Sequence, residues 1–178
     1  MFDELTAHLD THVRGVFLDE LAARQRDSGA AAVYATHDAE EALGLADRVV
    51  LLRGGRVEQV GTPAEVYAQP VDLPAARLTG PASVLVENGR ELLVRPEWAR
   101  LGSDREGRLR AVWFRGPHSD LLVETGAGDV LIREPGAPRH HIGARLTWRL
   151  DRSWRLGSAG PARVSRAPTR GPTDRPGH

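Results

Sequence analysis

The pattern of this sequence changes at Gly80-Pro81, and that change limits what the chain can fold into. Before it, strand-like and helix-like stretches alternate. A brief apolar start at Met1-Phe2 runs into Asp3-Glu4, and a helix follows with Asp10 or Thr11 as N-cap. Its apolar face repeats at helical spacing through Val13, Phe17 and Leu21, and Asp27-Ser28-Gly29 closes it. Ala31 to Thr36 reads as a short buried strand ending at His37-Asp38, with a second helix from about Ala39 to Ala46. Arg48 to Leu52 and Arg56 to Val60 flank Gly54-Gly55, a hairpin signal. Thr62-Pro63-Ala64-Glu65 is a capping box that starts a helix over Pro63 to Gln69. Pro70 ends that helix, and a further short one spans Leu73 to Leu78. Strands alternating with helices predict a parallel α/β layer.

After Gly80-Pro81 the candidates are all short strands: Ser83 to Val86, Leu92 to Arg95, Leu109 to Phe114, Leu121 to Glu124, Val130 to Arg133 and Leu146 to Leu150. Asn88-Gly89, Gly116-Pro117, Gly126-Ala127-Gly128 and Gly136-Ala137-Pro138 separate them, which predicts a small β-barrel or sandwich. Residues 157–178 are rich in Pro, Gly, Ser and Arg without apolar periodicity, and are expected to form a disordered tail. The expected organisation is therefore 1–80, 81–156 and 157–178.

Residue chemistry excludes several function classes. The chain has no cysteine, so disulfides, thiolate zinc sites and cysteine nucleophiles are ruled out. All 24 basic residues are arginine, so no Walker A loop ending in Gly-Lys-Ser/Thr exists within these residues. Basic and acidic residues balance at 24 each, which gives no electrostatic reason to expect nucleic acid or an anionic membrane surface as partner. No apolar run is long enough to span a bilayer and no signal peptide is evident, so a cytosolic location is expected.

The first candidate for chemistry is Asp3-Glu4. An acidic pair at a strand's carboxyl end can hold magnesium through water and polarise a water against a phosphoryl group. Met1 to Asp10, Met-Phe-Asp-Glu-Leu-Thr-Ala-His-Leu-Asp, resembles the stretch joining Walker B to the D-loop in ABC transporter ATPases. Val33-Tyr34-Ala35-Thr36-His37-Asp38, with Ala39-Glu40-Glu41-Ala42 after it, resembles that family's switch-histidine strand and following helix. Ala46-Asp47-Arg48 through Gly54-Gly55-Arg56-Val57 to Gly61-Thr62-Pro63-Ala64-Glu65-Val66-Tyr67 resembles the end of the ATPase domain in importers. Val94-Arg95-Pro96-Glu97 resembles the Arg-Pro-Glu of the TOBE domain, an OB-like barrel appended to importer ATPases for ferric iron, polyamines, sugars and oxyanions. The resemblance covers about Met1 to Leu150.

The resemblance implies an α/β remnant of a P-loop NTPase (ABC ATPase) domain followed by a small all-β, OB-like (TOBE) barrel. It implies Asp3 as the magnesium-side carboxylate, Glu4 as the catalytic base, Asp10 as the D-loop aspartate and His37 as the switch histidine on the γ-phosphate. It implies ATP and Mg2+ as cofactors of the whole family protein. The implied partners are a second ATPase subunit and a membrane permease, with no nucleic acid and no direct membrane insertion. The implied location is peripheral, at the cytoplasmic face of the membrane.

Departures from the family pattern limit these expectations. Leu5 replaces the family's Pro and Ala7 the D-loop Ser. The Walker A loop, Q-loop and signature motif, which precede Walker B in the family, are not in these residues. A carboxylate pair without the phosphate cradle has nothing to act on. The expectation is therefore a chain that does not hydrolyse ATP by itself, with an apolar face left exposed and a tendency to self-associate. The alternative is a non-catalytic TOBE-type ligand-binding or regulatory module.

Other constellations have simpler readings. His8 and His12 lie four apart but lack an evident third ligand. His140-His141 reads as a solvated loop. Trp113, Phe114 and Trp148 could stack bases, but with zero net charge they read as barrel core. Trp98 is expected on the barrel's outer edge or against the α/β part.

Overall fold

The structure, a computed structural model, describes residues 2–3, 11–29 and 31–157. Glu4, Leu5, Ala7, His8 and Asp10, and the expected tail from residue 158 on, lie outside the described residues.

The α/β part begins with β1 (Phe2–Asp3) and α1 (Thr11–Ser28), followed by β2 (Tyr34–Ala35) and α2 (Ala39–Leu45). β1 and β2 pair in parallel, Phe2 opposite Tyr34 and Asp3 opposite Ala35. The parallel arrangement agrees with the sequence reading, but the buried strand over Ala31 to Thr36 does not. Only two residues pair, and Val33 is 68% exposed. Tyr34 and Thr36 are half-buried, whereas Ala31, Ala32, Val33 and Ala35 are exposed.

β3 (Val49–Arg53) and β4 (Arg56–Gly61) form the expected hairpin. They pair antiparallel with each other and join no parallel layer among the described residues. Gly54 and Gly55 take φ +56° and +72°, the left-handed pair a type I′ turn requires. Val49 and Leu51 face inward with Val66 and Ala75, while Val50, Leu52 and Val57 stay exposed. α3 (Pro63–Ala68) carries the capping box in both directions: Thr62 accepts from the Glu65 N–H and Glu65 accepts from the Thr62 N–H. Asp72 caps α4 (Leu73–Leu78) through the Ala75 N–H.

The β part consists of β5 (Ser83–Glu87), β6 (Arg90–Val94), a 3-10 turn at Pro96–Trp98, β7 (Ala99–Phe114), β8 (His118–Thr125), β9 (Gly128–Pro135), β10 (Arg145–Leu150) and β11 (Trp154–Arg155). The strands form two sheets, ordered β10-β7-β8-β9 and β11-β6-β5. Leu85, Leu93, Leu109, Val123, Ile132 and Trp148 fill one core between them. The expected closed barrel is not seen as a continuous ladder. The β5–β9 junction is bridged by Val86 N–H to Ala127 O at 2.8 Å and Leu131 N–H to Ser83 Oγ at 2.9 Å.

β7 is the element least visible in the sequence. It starts ten residues before the predicted Leu109, through Ala99-Arg100-Leu101-Gly102-Ser103-Asp104-Arg105-Glu106-Gly107-Arg108. Its first half pairs with β10 and its second half with β8. The sheet packs tightly at the changeover: a Cβ on Gly107 would lie 2.4 Å from Val123 Cγ1 and 2.8 Å from the Glu124 carbonyl, so only glycine fits. The aromatic expectation holds for Trp148, which is 1% exposed, but not for Trp113 or Phe114, at 42% and 58% exposed. They are consecutive at the end of β7, so they lie on opposite faces of the sheet, and both are exposed there. Of the two places expected for Trp98, the outer edge is not seen: it is buried in a core cluster that also takes in Ala76 of α4, and the Arg152 guanidinium lies 4.5 Å from its ring centre.

Candidate functional site

The switch-histidine segment is built by local polar contacts. Asp38 takes an extended backbone and its Oδ1 accepts from the N–H groups of Glu40 at 2.9 Å and Glu41 at 3.2 Å, which starts α2. The Asp38 N–H donates to Thr36 Oγ1 at 3.0 Å. Glu41 is buried, and one of its oxygens accepts from the Thr36 hydroxyl at 2.7 Å and the Tyr34 hydroxyl at 2.9 Å. Residues on both sides of His37 are thus tied to α2, and His37 itself is presented to solvent. The sequence reading missed Glu41. Its signal was Tyr34 and Thr36 on one face of a strand, followed by an acid in the first turn of the next helix.

Asp3 ends β1 opposite Ala35, and His37 follows two residues later. The backbone therefore brings Asp3 and His37 to the same edge, the carboxyl ends of a parallel pair. Open α/β sheets bind ligands at that edge. Glu4 and Asp10 lie outside the described residues, and for Asp3 only the strand position is described.

A carboxylate and an imidazole at one sheet edge could form at most part of a magnesium–triphosphate site. They do not match a whole one. Magnesium needs oxygen ligands supplied largely by substrate phosphates and waters, and the phosphates need a lysine and a row of backbone N–H groups. This sequence contains no lysine. No group of three or more metal-ligating side chains occurs among the described residues.

A second polar centre fastens the helices to the β part. Arg95, fully buried, donates to the carbonyls of Tyr67, Ala76, Gly80 and Pro81 and to the Thr79 hydroxyl, at 2.8 to 3.2 Å. Its guanidinium also lies 4.0 Å from the Tyr67 ring centre. Burial lowers its pKa, with Tyr67 and Glu97 acting the other way. The Tyr67 hydroxyl donates to Glu97 at 2.8 Å, and burial together with that bond pushes its pKa up to about 12. One further tie crosses the same joint, Trp154 Nε1–H donating to Pro70 O, while Gln59 holds the α3–α4 connection from β4 by bridging Gln69 O and Val71 N–H.

Known proteins similar to this chain share one description. The chain's homologues are importer-type ABC ATP-binding proteins, similar to it over most of its length. It is 43% identical over 170 residues to the sulfate/thiosulfate import ATP-binding protein CysA 2 of Chromobacterium violaceum, covering 78% of this chain and 46% of that protein. It is 47% identical over 142 residues to the sn-glycerol-3-phosphate import ATP-binding protein UgpC 1 of Rhizobium johnstonii, covering 77% and 38%. It is 35% identical over 126 residues to the spermidine/putrescine import ATP-binding protein PotA of Photobacterium profundum, covering 71% and 32%. The chain thus spans roughly a third to a half of the length of these relatives. No protein-family model matches it. Homology to ABC ATPases implies a P-loop NTPase fold for the shared α/β part.

Proposed function

We propose that these 178 residues correspond to the C-terminal portion of an importer-type ABC ATP-binding subunit, comprising the end of its nucleotide-binding domain and a TOBE-type β domain. In this reading residues 1–80 supply the magnesium-side and γ-phosphate-side flank of the ATP site. The phosphate cradle comes from a polypeptide outside these residues. His37, held outward by the Thr36–Glu41–Tyr34 contacts, hydrogen-bonds the terminal phosphate. Asp3 would hold magnesium through water, and Glu4 would act as the base on the attacking water. Magnesium, when bound, neutralises charge on the phosphates. Asp10 would act as the D-loop aspartate toward a second copy of the subunit.

One observation carries this reading: Asp3 and His37 share the carboxyl edge of a parallel pair, in a chain homologous to import ATP-binding proteins. The exposed Val50, Leu52 and Val57 support it further, since such a face calls for a covering layer. The assembled subunit works with a membrane permease at the cytoplasmic face. Among the described residues no helix is long and apolar enough to cross a membrane. The solute is chosen by the permease. Ferric iron, brought in by the sequence resemblance, stands beside the polyamines, glycerol phosphate and sulfate that name the relatives.

The test is co-purification of the chain with the Walker A-bearing portion of an importer relative. The complex is expected to hydrolyse ATP, and His37→Ala is expected to lower turnover on the order of 10²-fold or more while leaving ATP binding intact. Equal turnover with and without His37 contradicts the assignment. A second reading, a ligand-binding or regulatory β module, is favoured by an open groove at the joint between α4 and the four-stranded sheet.

A further inference from the structure

The groove has a volume of about 560 Å³, within the range of small-molecule sites. Its apolar surface is formed by Leu122 and Leu131, half-buried on the sheet face opposite the core, and by the exposed Trp113. Cross-strand pairing explains why these residues meet: Trp113 is opposite Asp120, Leu122 opposite Leu131 and Asp120 opposite Arg133. The rim is cationic. Arg77, in the last turn of α4, is exposed and makes no ion pair with any described residue. Among the described residues, Arg115 has Asp120 as its only carboxylate, at 3.8 Å. Asp120 is already committed, both of its oxygens being held by Arg133 at 2.8 and 3.2 Å. Ser83 accepts the Leu131 N–H, which leaves its hydroxyl proton available to the groove.

We propose that this groove binds a small anionic molecule with a flat apolar body. The body stacks on Trp113 over Leu122 and Leu131, and a carboxylate or phosphate head lies between the Arg77 and Arg115 guanidiniums within reach of the Ser83 hydroxyl. The inference rests on the ligand-module reading and is independent of the nucleotide site. Arg77 has no ion pair among the described residues, and Arg115 shares Asp120 with Arg133, which leaves local positive charge at this rim in a chain of zero net charge. Planar guanidiniums match carboxylate and phosphate oxygens, and an aromatic wall favours a flat ring. Arg77 belongs to a helix and Arg115 to the end of a sheet strand, so a bound anion bridges the two parts and stiffens their joint.

The experiment uses the full chain and follows the four indole N–H signals by NMR during titration. The probes are phenyl phosphate, phenylacetate, inorganic phosphate and benzyl alcohol. Phenyl phosphate or phenylacetate is expected to shift the Trp113 signal saturably with Kd near or below about 1 mM, leaving buried Trp148 unmoved. Which of the two binds tighter identifies the head group. Inorganic phosphate and benzyl alcohol are each expected to bind at least about tenfold more weakly, because each offers only half of the recognition. Arg77→Ala and Arg115→Ala are each expected to weaken binding about tenfold without altering the unligated spectrum of the core. The proposal is overturned by the absence of a saturable Trp113 shift at about 10 mM probe, by equal affinity for benzyl alcohol, or by binding indifferent to both arginines.

Discussion

Arg95→Met is expected to destabilise the chain by about 3 to 5 kcal/mol, which corresponds to a fall in melting temperature of about 10 °C or more. The side chain is fully buried and has no directly paired carboxylate among the described residues; its charge is dispersed over four carbonyls, one hydroxyl and the Tyr67 ring. Methionine fills the volume but leaves the carbonyls of Tyr67, Gly80 and Pro81 without these donors, and a buried unpaired acceptor costs about 1 to 3 kcal/mol. Arg95→Lys keeps the charge but cannot fork to five acceptors, so its loss should be smaller and still clear. Thermal unfolding measures both. A loss below about 1 kcal/mol for Arg95→Met would mean that the joint is not held by this residue. The same joint has an alkaline signature. Tyr67 has its pKa raised to about 12, so its contribution to stability is complete below its ordinary value near 10 and is lost as pH rises through about 12.

Trp148→Ala is the second large effect, expected to cost about 3 to 5 kcal/mol through the cavity it leaves. Trp148 is 1% exposed, lies between the two sheets, and is covered by the Arg105 guanidinium at 5.1 Å. Its Nε1–H is buried without a hydrogen-bond partner among the described residues. Trp148→Phe removes that unsatisfied donor along with part of the ring, so the two changes oppose each other. It should cost less than half as much as Trp148→Ala. If denaturant unfolding gives equal losses for the two variants, the ring's volume is not what the core depends on.

Legibility from sequence followed the reach of the interaction. The Gly54-Gly55 turn, the Thr62 capping box and α4 were readable because each is closed by residues a few positions apart. The first half of β7 was not, because Ala99 to Arg108 is mostly polar and becomes a strand only by pairing with β10, some forty residues later. Val33 read as buried because apolar runs usually find cover, yet it is exposed. Trp113 and Trp148 look alike in sequence and end on different faces, since strand alternation cannot say which face is covered. At the candidate site His37 was visible through its flanks, Thr36 and Asp38. Glu41 was not singled out, and Arg95 was read only as part of an Arg-Pro-Glu motif, because a buried charged side chain is recognisable only by the partners the fold brings to it.

The central claim is that this chain carries one flank of a nucleotide site and that the phosphate cradle is supplied from elsewhere. Equilibrium binding of Mg-ATP, measured on the chain alone and again with the Walker A-bearing complement, tests it most directly. The account predicts no saturable binding by the chain alone up to about 1 mM, and binding at least about a hundredfold tighter once the complement is present. Tight binding by the isolated chain, with turnover at about 1 per second or faster, would contradict it.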